Sequence, residues 1–182
     1  PIVISAISPH TTVLSLLDDP SGWGDLGPKM KRKPMRGRAF KVVLALDGMP
    51  RYAAATSDED ATSFACAQFR IAPTLDYIEE AHTDMLLGRL SHKPVIWGLC
   101  PSMTSPVLAP AGKHVLSLNV GNAPYRLREG TWEQQRDVFA KRTIAKLAEY
   151  MPSLPGLIRD YRVVDPTQFE REFGLVEANI TH

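Results

Sequence analysis

Ala39-Phe40-Lys41-Val42-Val43-Leu44-Ala45-Leu46-Asp47-Gly48 decides the fold. Phe40, Val42, Leu44 and Leu46 recur at every second position, with Lys41, Val43 and Ala45 between them. Successive side chains of a strand point to opposite faces, so this spacing predicts a strand with one apolar face and one mixed face. Asp47-Gly48 and Pro50 end it.

Outward toward the C-terminus, a second β-like run spans 64–71. Thr74 then caps a helix with Asp76 in its first turn and Leu75, Ile78, Met85 and Leu86 as its apolar side, ending near Gly88. Strand patterns follow at 95–100 and 114–120. The connection between them carries Pro106, Pro110 and Gly112 and is too irregular for a crossover helix, so it predicts antiparallel pairing. Thr131 with Gln134 forms a capping box for the longest helix, whose Trp132, Phe139, Ala140, Ile144, Leu147 and Met151 lie near one face. Residues 158–164 read as a strand, and Asp165-Pro166-Thr167-Gln168 starts a last short helix to Phe173.

Toward the N-terminus, residues 2–7 are apolar and β-branched and read as a strand, and Ser8-Pro9 opens a short helix with Val13, Leu14 and Leu17 on one side. Residues 18–38 form a long Gly/Pro/basic connection in which Pro20, Pro28 and Pro34 interrupt any long helix or central strand. Together these segments predict an α+β fold. It has a mixed, mainly antiparallel sheet of about five or six strands with helices covering one face. The other face then needs a second cover.

The chain has 182 residues, 44% hydrophobic and 23% charged, which suits one domain spanning 1–182. A formal net charge of +1 gives no global attraction to nucleic acid or an anionic membrane. Cys66 and Cys100 stand far apart with no CxxC spacing, which indicates neither a disulfide framework nor a zinc site and fits a reducing, cytoplasmic setting. No apolar run reaches the roughly 18–20 residues of a transmembrane segment. Both ends read as cuts through a longer polypeptide.

Gly22-Trp23-Gly24-Asp25-Leu26-Gly27 matches GxGxxG, but it follows Asp18-Asp19-Pro20-Ser21 and runs into Pro28. A dinucleotide site needs a strand before the first glycine and a helix after the last, so a glycine-rich turn is the preferred reading. Six cations between Lys29 and Arg38 read as a solvated linker. The five histidines show no metal-ligand spacing. Ser102 and Ser105 have no base partner suggested by sequence, and Glu79, Glu80, Glu170 and Glu172 read as solvent-facing. Trp97, Ser117 and Asn119 lie within the two strand patterns after Pro94. Trp97 suits packing; Ser117 and Asn119 suit either internal pairing or a ligand.

The run Ala39 to Tyr52 resembles the interior of phytoene-dehydrogenase-like FAD-dependent oxidoreductases, which share the amine-oxidase-like flavoprotein fold. Leu108-Ala109-Pro110-Ala111-Gly112-Lys113-His114-Val115-Leu116-Ser117-Leu118, Ala123-Pro124-Tyr125, Phe169-Glu170-Arg171-Glu172-Phe173-Gly174-Leu175 and Asn179-Ile180-Thr181-His182 resemble the same family in the same order. The resemblance covers about 38–182. It implies a substrate-binding domain that lies over a flavin, while Rossmann-type FAD-binding parts come from elsewhere in the parent chain. FAD then belongs to the intact parent, none is expected in these residues alone, and the substrate is a small apolar organic molecule. Trp97, Ser117, Asn119 and Tyr125 are the candidate substrate contacts. Asn179 and His182 are implied to approach the flavin in the parent, with a junction role for His182 equally open; the resemblance assigns no catalytic residue. The family usually has small, glycine-rich sequence before Asn-Ile-x-His, whereas Val176-Glu177-Ala178 stand here. The alternative is a non-catalytic binding or assembly domain on the same scaffold.

Overall fold

The computed structural model describes residues 2–181. Its centre is one five-stranded antiparallel sheet in the order β2-β3-β4-β1-β5. The strands are β1 (Phe40–Leu46), β2 (Phe69–Ile71), β3 (Val95–Leu99), β4 (His114–Gly121) and β5 (Ile158–Val164). Among the described residues the α-helices are α1 (Pro9–Thr11), α2 (Leu26–Arg32), α3 (Asp58–Cys66), α4 (Leu75–Leu86), α5 (Trp132–Ala148), α6 (Leu154–Leu157) and α7 (Pro166–Phe173). The fold is α+β, as the strand and helix patterns predict.

The period-two pattern of β1 sets the register. Phe40 lies opposite Val120, Val42 opposite Leu118 and Leu44 opposite Leu116. All six side chains are buried, and they meet Ile96 of β3, Val163 of β5 and the inner side of α5 in one core. Phe40 stacks on Trp132 at a ring-centroid distance of 5.4 Å and meets Phe139 edge-on at 4.9 Å. These contacts seat α5 on the sheet through Phe139 and Leu147, with Ile144 at the margin. Arg142 of α5 donates to the carbonyls of Leu90 (2.6 Å) and Ser91 (3.0 Å), pinning the helix to the segment that leads into β3.

Four local readings change. Residues 64–71 are not one strand, because α3 occupies 58–66 and leaves only Phe69–Ile71 for β2. Ser57 accepts from the Asp60 N–H, and Asp58, Glu59 and Asp60 fill the first turn, where carboxylates favour the helix dipole. In α4 the buried side is Tyr77, Ala81 and Met85, whereas Leu75 and Leu86 are exposed. The Tyr77 hydroxyl donates to the Pro94 carbonyl at 2.8 Å, turning that side inward. The apolar run at 2–7 forms no strand; Ile2, Val3 and Ile4 are exposed. Within 18–38 a seven-residue helix does form, since Pro28 falls in the first turn of α2, where a missing N–H breaks no helical bond.

A backbone-to-backbone closure joins the two ends of this architecture. The Gly37 N–H donates to the Glu177 carbonyl at 2.8 Å, and a Cβ on Gly37 would lie 1.8 Å from the Ala178 carbonyl oxygen. Only glycine allows that approach. The Ala123 N–H donates to Arg38 at 3.1 Å beside it.

Phe139→Ala removes the ring that both Phe40 and Trp132 touch. It is expected to cost about 3–5 kcal/mol, read as a lower urea midpoint with unchanged slope.

Candidate functional site

The face of the sheet opposite α5 carries the odd-numbered residues of β1. Lys41 pairs across with Asn119, Val43 with Ser117 and Ala45 with Val115. On β3, Trp97 lies opposite Asn119 and Leu99 opposite Ser117. Asn119 therefore has Lys41 on one side and Trp97 on the other. Lys41, Trp97, Ser117 and Asn119 are half-buried there, and Leu99 is exposed.

Lys41 Nζ donates to Ser117 Oγ at 2.8 Å and to Asn119 Oδ1 at 3.1 Å. Both acceptors are neutral, and among the described residues no carboxylate lies within ion-pair distance of Lys41. Desolvation at this site holds its pKa below the ordinary lysine value. The Trp97 indole rests on Gly121, where a Cβ would stand 2.9 Å from the ring.

At the Trp97 end, the face runs into a cavity of about 540 Å³. Arg36, Arg38, Trp97, Gly121, Asn122 and Asn179 are among its walls. The structure thus brings Trp97, a candidate substrate contact, and Asn179, a candidate flavin neighbour, into one cavity. Ser117 and Asn119 lie farther along β4 on the same face and are not among its walls. Tyr125 stands apart from them, in a second cavity of about 440 Å³ on the other side of Arg36-Gly37-Arg38. His182 lies outside the described residues.

Backbone strain gathers at the same cavity. Asn122, Glu177 and Ala178 have φ values of 58°, 47° and 59°, in the left-handed region that L-residues other than Asn and Asp rarely occupy. Val176-Glu177-Ala178 therefore holds a conformation suited to glycine without containing any. Glu170 helps hold it, for Glu170 Oε1 accepts from the Glu177 N–H at 2.9 Å and Oε2 accepts from the Tyr125 hydroxyl. That bond to Glu170, with burial, pushes the Tyr125 pKa up to about 12. Glu170 is thus a half-buried brace, which corrects its solvent-facing reading; Glu172 is exposed and pairs with Arg162 at 3.0 Å.

Two other sequence features find partners. Ser102 Oγ accepts from the Val115 N–H at 2.9 Å and lies 3.2 Å from His114 Nδ1, so a base does stand beside it. Ser102 is buried and its bonds fasten the turn after β3 to β4, a packing role. Gly22 lies in a 3-10 turn and Gly27 inside α2, with no strand among the described residues feeding them. The strand–turn–helix geometry of a phosphate-binding fingerprint is missing there.

Lys41 was the functional candidate that sequence alone did not flag. Its signal is a single cation on the mixed face of the most apolar strand, opposite two polar residues of β4. That pattern becomes visible only once β1 and β4 are known to pair.

No protein-family model matches the chain. It is 29% identical, over its whole length, to the pyridine nucleotide-disulfide oxidoreductase domain-containing protein 2 of Rattus norvegicus, and equally to that of Mus musculus. In each case the match takes in 32% of the relative, so the chain spans about a third of the length of these curated relatives. The chain is a distant relative of part of a protein named for an oxidoreductase domain.

Two substitutions test the stability consequences. Lys41→Met relieves a desolvated charge and leaves Ser117 and Asn119 to water, so the thermal midpoint should rise by about 2–4 °C per kcal/mol relieved. Glu177→Gly should stabilise by about 1 kcal/mol by removing left-handed strain, measured by urea unfolding.

Proposed function

We propose that this chain is the substrate-facing domain of an FAD-linked oxidoreductase, and that the sheet face opposite α5 with the adjoining cavity forms the floor of the active site. One observation carries the reading: one face of the sheet packs on α5, while the other bears half-buried Lys41, Trp97, Ser117 and Asn119 beside a cavity of about 540 Å³. Ligand sites are concave, largely apolar and fitted with a few fixed polar groups, and this face meets each condition. The relationship to about a third of an oxidoreductase-domain protein supports assigning the roof to other parts of the parent.

The residues fit a flavin ring as a wall and not as a cradle for its phosphates. Trp97 offers a flat surface beside the small Gly121. The glycine string at 22–27 lacks the geometry that would hold a pyrophosphate. A bound flavin supplies the hydride acceptor. This chain's part is to bind the substrate over β3, β4 and β1, to orient it through Lys41 and Asn119, and to exclude water beneath it.

Hydrogen–deuterium exchange on the full-length parent, with and without FAD, tests the reading. Backbone amides of 41–45, 95–99 and 115–121 should gain protection when FAD and a substrate analogue are bound. A full-length protein that is colourless, binds no flavin and shows no change in these segments would favour an assembly role on the same scaffold.

A further inference from the structure

Among the described residues the arginines around the Trp97 cavity have no ion-pair partner. Arg36 and Arg38 line it, and none of its lining residues is Asp or Glu. Elsewhere cations of this chain meet carboxylates at close range: Arg51 with Asp58 at 2.6 Å, Lys93 with Glu80 at 2.6 Å and Arg89 with Asp84 at 2.8 Å. Among the described residues no such pair includes Arg36, Arg38 or Lys41.

Lys41 is not among the walls of this cavity; Asn119 separates it from Trp97 across the sheet. Its ammonium spends two of three donors on Ser117 and Asn119, both neutral, and keeps one. Val95, Trp97, Ala39 and Ile180 supply an apolar wall beside the two arginines.

We propose that the ligand of this site carries an anionic oxygen head group on an apolar body, the head group being received by Arg36 and Arg38 and the body lying against Trp97 and Val95. The proposal rests on the active-site reading above and sharpens its substrate class. Two arginines with no carboxylate partner among the described residues attract a carboxylate or phosphate ester and repel an amine. A guanidinium fork matches the paired oxygens of either anion.

The test is titration of the 182-residue chain with dodecanoate, dodecyl phosphate and dodecanol below their micelle concentrations. The readout is the Trp97 indole N–H in ¹H–¹⁵N spectra, assigned with Trp97→Phe. One or both anions should bind at least about tenfold tighter than dodecanol, as charge-assisted hydrogen bonds require. The stronger of the two identifies the head group. Arg36→Gln with Arg38→Gln should erase the preference, and Arg36→Lys with Arg38→Lys, which keeps both charges, should retain it. Equal binding of all three amphiphiles would overturn the head-group assignment and leave the apolar site standing. No shift of the Trp97 signal with any of them would overturn both.

Discussion

The two-residue period of β1 is the constraint on which the molecule depends. Phe40, Val42 and Leu44 are wholly buried beneath α5, while Lys41 and Val43, interleaved with them, face the opposite side. A slip of one residue against β4 would bury the Lys41 ammonium under Phe139 and expose Phe40. Burying an unpaired charge in that core costs far more than any repacking could return. Core and site are thus fixed by one choice of register, and neither can be placed without the other.

Much of this was legible because it was written in strong periodic signals. The alternation at 40–46, the strands at 95–99, 114–121 and 158–164, and the Asp165 capping box with its reciprocal Gln168 bond each stand at their expected positions. Where tertiary contacts decided, the sequence misled. Nothing local distinguishes Leu75 and Leu86 from core leucines; the Tyr77 hydroxyl bond to Pro94, from an element 17 residues away, chooses which side of α4 goes in. The strand expected at 2–7 has strand-like residues but no partner among those described, and β-propensity without a ladder makes no strand.

The site was legible in part for the same reason. Trp97, Ser117 and Asn119 could be singled out because polar or large groups interrupt apolar strand patterns. Lys41 completes them, yet it lies 78 residues from Asn119, and only the β1–β4 ladder brings the two within 3.1 Å. Tyr125 was grouped with them by resemblance, but its hydroxyl is committed to Glu170, the brace of the strained turn at Glu177 and Ala178. The glycine-like geometry of that turn is maintained by contacts and not by composition. This is why the absence of glycine there says little about the shape of the backbone.

The closure between Gly37 and Glu177 also has an architectural consequence. The chain enters the sheet through Arg38 and comes back through Glu177, and the two passages are hydrogen-bonded backbone to backbone at 2.8 Å. All five strands and α5 lie between these two passages in the chain. Entry and exit therefore stand side by side, so that strain applied at either passage reaches the other directly through the backbone.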